Sequence, residues 1–196
     1  MSLLSLPRLL FEDTRPEASV LVDTLPEAVP ADFEALWALH PADFHQIRMM
    51  GRLVHTPRWQ QAYGRDYRYT GSLNRALPVP PLLEPWLELA RTFEPGANSL
   101  LVNWYDGALG HYIGRHRDAP HGRLPGTNVV TISFGAARTF RFRPWKGIGH
   151  VDIDTSAWPI VVFGWEVNER YTHEVLRGEG QRISITARAF SAEGPG

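Results

Sequence analysis

The chain has 196 residues, 43% hydrophobic and 21% charged, an ordinary globular composition and a length that suits one domain with a real core. A formal net charge of −1 excludes a global pull on nucleic acid, leaving only a local basic patch for such binding, and no apolar run approaches the ~20 residues that span a bilayer. The absence of cysteine removes disulfides, thiolate metal sites and cysteine nucleophiles together, which fits a reducing cytoplasm, the expected location of a monomer that has neither a membrane segment nor the pattern of a signal peptide.

The first 30 residues are punctuated by Pro and Glu and are expected to wrap the surface as an arm, with residues 1–48 forming this arm and a first helix. Over residues 31–40, Phe33, Leu36, Trp37 and His40 recur at helical spacing, and Pro41 stops the turn. Residues 49–71, rich in Arg, Tyr and Gly, read as loop and strand. Pro80 and Pro81 open a second helix with Leu82, Trp86, Leu89 and Phe93 as one stripe and Gly96 just past its end. Beyond Asn98 the texture changes to short alternating segments at 100–105, 129–134, 139–143, 160–163 and 182–190, separated by turn residues. This predicts a single α+β, mainly β domain over 1–196, with a sandwich or barrel over 98–190 covered on one side by the helices.

The chemistry concentrates in the C-terminal half. Along Arg182-Ile183-Ser184-Ile185-Thr186-Ala187-Arg188, period-2 alternation puts three apolar residues on one face and Arg182, Ser184, Thr186 and Arg188 on the other. A face with two guanidiniums is either solvated or built to hold an anion. Upstream stands His116-Arg117-Asp118 and, much later, His173. Two imidazoles and one carboxylate form a facial ligand set for non-haem Fe(II), which leaves coordination positions open. With such ligands present the anion is favoured, and a dicarboxylate such as 2-oxoglutarate fits. His111 competes for His116 as a helical metal pair, although the glycines at 107, 110 and 114 oppose a helix there; His121 and His150 are expected to face solvent. Ligands drawn from non-adjacent strands converge only if the sheet wraps on itself, which points to a double-stranded β-helix (jelly-roll) core buttressed by the N-terminal helices. Arg182 and Arg188 lie about 20 Å apart at ~3.3 Å per strand residue, so both can serve one small anion only by folding inward from opposite ends.

Several pieces stand in a fixed order: Asn103-Trp104-Tyr105, Ile113-Gly114-Arg115-His116-Arg117-Asp118, Ile132-Ser133-Phe134-Gly135, Phe140-Arg141-Phe142, His173 and the closing Arg-x-Ser-x-Thr-x-Arg. Upstream come Met50-Gly51-Arg52, Thr56-Pro57-Arg58, Tyr63-Gly64 and Tyr67-Arg68-Tyr69-Thr70-Gly71. From Met49 to Phe190 the chain resembles the AlkB family of 2-oxoglutarate/Fe(II)-dependent nucleic-acid dealkylases. The resemblance implies Fe(II) on His116, Asp118 and His173. It places 2-oxoglutarate against Asn103, Tyr105, Arg182, Ser184, Thr186 and Arg188, with the Arg182 fork on the distal carboxylate. It makes residues 49–71 a nucleotide-recognition lid, in which Met50 takes the wedge position, Tyr63, Tyr67 and Tyr69 line the path of an extruded base, Arg52, Arg58 and Arg65 meet phosphates, and Gly51 and Gly64 belong to the same substrate-binding set. Arg143 and Lys146 are further phosphate candidates. The implied reaction is oxidative dealkylation of N-alkylated bases in DNA or RNA, consuming O2 and 2-oxoglutarate and releasing aldehyde, succinate and CO2. Acidic residues that help many members read the damaged base are replaced here by Ala119, Pro120 and His121. That departure keeps open a second reading, a 2-oxoglutarate/Fe(II) hydroxylase of a small molecule or protein side chain.

Overall fold

A computed structural model describes residues 20–24, 32–69 and 71–191. The expected N-terminal arm lies outside the described residues except at 20–24, which form an edge strand rather than a surface wrap. In chain order the elements are β1 (Val20–Thr24), α1 (Phe33–Trp37), β2 (Gln46–Met49), β3 (Arg52–His55), β4 (Trp59–Tyr63), β5 (Tyr67–Tyr69), β6 (Ser72–Asn74), β7 (Ala76–Leu77) and α2 (Glu84–Arg91). The remainder is β8 (Ser99–Asp106), β9 (Ile113–His116), β10 (Val129–Gly135), β11 (Thr139–Pro144), β12 (Val151–Asp154), β13 (Pro159–Phe163), α3 (Trp165–Arg170), β14 (Tyr171–Val175) and β15 (Gln181–Arg188).

Two sheets carry the architecture. The major sheet runs β1-β13-β10-β15-β8-β4-β7 and the minor sheet β12-β11-β14-β9. From β8 onward the chain crosses between them at nearly every connection, and only β11 and β12 follow one another in the same sheet. The central strands β13-β10-β15-β8 face β12-β11-β14-β9, which is the eight-stranded double-stranded β-helix expected from the convergence of the ligands.

Strand alternation sorts the major sheet into two unlike faces. Leu100, Val102 and Trp104 of β8, Val130, Ile132 and Phe134 of β10, and Ile183, Ile185 and Ala187 of β15 join one apolar cluster with α1 and α2. Trp104 is fully buried there and donates its indole N–H to the Leu36 carbonyl at 2.9 Å, tying α1 to the sheet. The opposite face carries Asn103, Tyr105, Thr131, Ser133, Arg182, Ser184, Thr186 and Arg188 and looks toward the minor sheet. Part of the space between the sheets is filled by Tyr105, Phe140, Phe142, Phe163 and Val175. The helices therefore buttress the major sheet on its outside and leave its polar face inside.

Both helices are shorter than their periodicity suggests. The Asp32 carboxylate caps α1 by accepting from the Ala35 N–H at 3.0 Å, and the turn then tightens through Leu39 and His40 before Pro41. Pro80 and Pro81 set a turn rather than opening α2; the proline that starts the helix is Pro85, where a missing N–H costs nothing. Its most buried residues are Trp86, Leu87 and Ala90, with Leu82, Leu89 and Phe93 packed at the margins.

The region read as a lid consists of two hairpins, β2-β3 and β5-β6, running slightly beyond 49–71 at either end. Ser72 links them by donating to the Gln46 carbonyl at 2.6 Å. Between them β4 is part of the major sheet, and this changes two expectations. Tyr63 is buried in the cluster under the helices, because alternation along β4 turns it away from the inter-sheet space. Gly64 serves the turn that follows: its φ is +80°, and a Cβ there would lie 2.5 Å from the Asn98 carbonyl oxygen. Gly64→Ala should destabilise by about 2 kcal/mol or more, since the left-handed conformation alone costs roughly 1–2 kcal/mol. A thermal melt should then fall by about 4–8 °C, and an unchanged melt would show that the turn relaxes freely.

Candidate metal and co-substrate site

His116 ends β9 and pairs directly across from His173 on β14. A bulge just beyond this pair, between His173 and Val175, re-aims β9. The imidazole centroids are 4.2 Å apart. Asp118 follows two residues after His116, and its Oδ1 lies 4.0 Å from His116 Nε2 and 3.9 Å from His173 Nε2. All three ligand atoms fall within 4.8 Å of one another, a spacing that one cation can bridge. His116 Nδ1 lies 2.9 Å from the Gly114 carbonyl, so the proton sits on Nδ1 and Nε2 is left as the donor to a metal. Burial, reinforced by His116, pushes the His173 imidazole down to about 3, which keeps it neutral and ligand-competent.

Arg188, the last residue of β15, grips Asp118 with a two-bond fork, Nε to Oδ2 at 2.8 Å and Nη2 to Oδ1 at 2.9 Å. Burial alone would raise the carboxyl, but Arg188 overrides it and holds Asp118 well below the usual carboxylate range. The Tyr67 hydroxyl donates to Asp118 Oδ1 at 3.3 Å, and the Arg188 guanidinium lies 4.7 Å from the Tyr67 ring centroid. Arg188 thus grips the metal-side carboxylate itself.

Six residues away along β15, Arg182 is fully buried with its guanidinium 4.9 Å from the Tyr105 ring centroid. Nη2 donates to Ser133 Oγ at 2.8 Å, whereas Nε and Nη1 have no partner among the described residues. A buried cation with two free donors calls for an anion, and the fork matches a carboxylate bidentately. Between the two arginines, Ser184, Thr186, Asn103 and Tyr105 line a cavity of about 360 Å³ that also contains the His-Asp-His cluster. The donor set therefore fits a divalent metal at the His-Asp-His cluster and a carboxylate at Arg182.

The lid residues divide. Tyr67 and Tyr69 line the cavity with ring centroids 5.3 Å apart. Arg58 lines it too but is buried, donating to Asn103 Oδ1 at 2.8 Å and Gln60 Oε1 at 3.0 Å, so it belongs to the cavity wall and not to a phosphate-binding surface. Met50, Gly51 and Arg52 are exposed at the first hairpin, and Arg65 is half-exposed outside the cavity. Arg143 is committed to Glu174 at 2.7 Å, leaving the exposed Lys146 as the phosphate candidate of that pair. Arg117 points outward over the Trp145 ring, and His111 is buried away from the cluster, accepting from the Asp106 N–H.

Two participants escaped the sequence reading. Gln60 neighbours Asn103 across β4 and β8 and was legible in principle from the alternation of β4. Asn168, on the unforeseen α3, clamps the backbone on both sides of the Asp118 side chain: its Oδ1 accepts from the Asp118 N–H at 2.8 Å and its Nδ2 donates to the Asp118 carbonyl at 3.0 Å. No spacing in the sequence announces it. Asn168→Ala should weaken metal binding by about 10–100-fold, as loss of a residue orienting a ligand does. Titration with Mn(II) in the absence of any substrate measures this, and unaltered affinity would make Asn168 a mere fold contact.

The model for the 2OG-Fe(II) oxygenase superfamily matches residues 7–188. Among curated proteins, human DNA oxidative demethylase ALKBH2 is 35% identical over 104 residues, covering 50% of this chain and 39% of that protein. The mouse ALKBH2 is 33% identical over 106 residues, covering 50% of this chain and 42% of that protein. The match thus spans about two fifths of the length of these relatives. A solved structure of OsALKBH1 aligns at a TM-score of 0.48 and 15% identity, over 76% of this chain and 81% of that one. With its cluster and its family match in agreement, the chain belongs to the 2OG-Fe(II) oxygenase superfamily.

Proposed function

We propose that this protein removes N-linked alkyl groups from nucleic-acid bases by oxidation, using Fe(II), 2-oxoglutarate and O2. The observation that carries the reading is that one cavity holds both halves of such a site: His116, Asp118 and His173 at its floor, Tyr67 and Tyr69 of the lid at its wall. In this reading those three residues would hold Fe(II), and the Arg182 guanidinium would take a carboxylate of 2-oxoglutarate. Bound Fe(II), with its co-substrates, supplies the oxidising chemistry that hydroxylates the alkyl carbon, after which an aldehyde leaves, with succinate and CO2 as the other products. The side chains orient and protect. Arg188 keeps Asp118 ionised, Asn168 fixes its backbone, and the apolar wall of Phe140 and Val175 limits water.

The lid supports nucleic acid over a smaller substrate. Met50 and Gly51 form a two-residue hairpin turn with φ of +47° and +78°, a pair of positive values that methionine adopts only at a cost. The Met50 side chain is fully exposed, Leu53 nearby is 62% exposed, and Arg52 adjoins them. A strained, solvated apolar tip beside basic residues suits a wedge that enters a base stack. The names of the ALKBH2 relatives point the same way.

Succinate formation with alkylated single- and double-stranded oligonucleotides tests the proposal. Stimulation above the substrate-free rate is expected; 2-oxoglutarate consumption that no oligonucleotide stimulates would favour a hydroxylase of a small molecule or protein side chain. Asp118→Ala should abolish turnover, while Arg117→Ala should retain most of it because Arg117 faces outward. Arg182→Lys should raise the KM for 2-oxoglutarate by about tenfold or more, since an ammonium cannot form the parallel fork; an unchanged KM would remove Arg182 from the site. Tyr69→Ala should lower oligonucleotide turnover and spare uncoupled 2-oxoglutarate decay. It is a cleaner probe than Tyr67, which also bonds to Asp118.

A further inference from the structure

The charge of the cavity wall bears on which alkylated bases can enter. Asp118 is the one carboxylate among the described cavity-lining residues, and both of its oxygens are taken by Arg188. Of the other lining arginines, Arg115 turns its guanidinium outward to Thr172 Oγ1 and the Pro144 carbonyl, and Arg117 to the Glu169 carbonyl. Arg58 remains inside, 5% exposed. The oxygens that accept from it, on Asn103 and Gln60, are neutral amide oxygens and leave its charge in place. A divalent metal and a dianionic co-substrate cancel each other, so side chains set the sign of the remaining space, and that sign is positive.

Hydrogen-bonding capacity leans the same way. Asn103 Oδ1 is occupied by Arg58, and Gln60 Oε1 accepts from both Arg58 and the Tyr69 hydroxyl. Gln60 itself is not a lining residue and backs the wall behind Arg58 and Tyr69. The two amide oxygens nearest Arg58 are therefore already engaged. The Tyr67 ring, the natural stacking surface, already carries the Arg188 guanidinium against it, so a cationic base stacked on its other face would place a second cation on one ring.

We propose that the site prefers uncharged N-alkylated bases that present a carbonyl oxygen beside the alkylated nitrogen over cationic ones that present an amino group there. The inference deepens the dealkylase reading and rests on it. N3-methylthymine and N1-methylguanine belong to the first class: they carry no charge, and their O4 and O6 are acceptors suited to a cavity whose wall holds the Arg58 guanidinium. N1-methyladenine and N3-methylcytosine belong to the second, and each sets a positive charge and an exocyclic amino donor against a buried cation with no carboxylate to pair with. Ala119, directly after Asp118 and lining the cavity, contributes neither charge nor hydrogen bond.

The test compares kcat/KM of the wild-type protein on four otherwise identical single-stranded oligonucleotides, each carrying one of these lesions, with formaldehyde release as the readout. The two uncharged lesions should exceed the two cationic ones by about tenfold or more, a ratio within reach of a polar mismatch in a binding pocket. Ala119→Asp, which adds a carboxylate to the cavity, should raise the cationic-to-neutral ratio at least severalfold without needing a change at buried Arg58. Cationic lesions turned over as well as or better than neutral ones would overturn the preference while leaving the dealkylase reading intact. If none of the four releases formaldehyde although 2-oxoglutarate decays, the dealkylase reading falls, and the preference with it.

Discussion

A carboxylate withdrawn from water must share its charge, and in this protein the buried pair of Asp118 and Arg188 does so. The fork joins the segment just beyond β9, in the minor sheet, to the final residue of β15, in the major one. A buried ion pair contributes little net stability because desolvation offsets its attraction. Its value is directional: it selects one arrangement of the two sheets, the one that brings Asp118 beside His116 and His173. Asn168 reinforces that choice from α3 by holding the Asp118 backbone, so the carboxylate is fixed at both its head and its root.

A polar interior face needs an apolar surface elsewhere. In the major sheet the outward face supplies it, because α1 and α2 bury Trp104, Ile132, Phe134 and Ile185 against it. The helices thereby free the inner face to carry two arginines, three hydroxyls and an amide along β15 and β8. Arg182 shows the consequence. A guanidinium with two free donors inside a protein is costly when alone, and the surrounding fold holds it there beside Ser133 and the Tyr105 ring. The same design leaves one end of the inter-sheet space packed with phenylalanines and the other open as a cavity.

The lid is bonded to the floor of the cavity at several points. Arg58 reaches Asn103, Gln60 receives Arg58 and Tyr69, and Tyr67 reaches Asp118. These bonds run from the lid into the residues expected to face metal and co-substrate. A base held against Tyr67 would therefore be held in register with the ligand carboxylate, and a lid displaced from its place would disturb the groups that shape the co-substrate pocket. On the proposed reading, recognition and chemistry would be joined through these side chains.

By itself the sequence determined the strands whose alternation is strict. Along β15 a residue's face follows from its parity, so Arg182, Ser184, Thr186 and Arg188 could be assigned together, and the order of Asn103-x-Tyr105, His116-x-Asp118 and His173 could be read as one site. It could not foresee Asn168, whose role depends on α3 folding back over the segment after β9. It also misplaced the residues of β4, because a strand between two hairpins looks like part of them until its pairing with β8 is known. That pairing turns Tyr63 into the core under the helices and buries Arg58 in the cavity wall, although both had the composition of a recognition surface. Local pattern fixes which residues share a face; only the tertiary structure decides what that face meets, because burial and charge pairing are properties of neighbours distant in the chain.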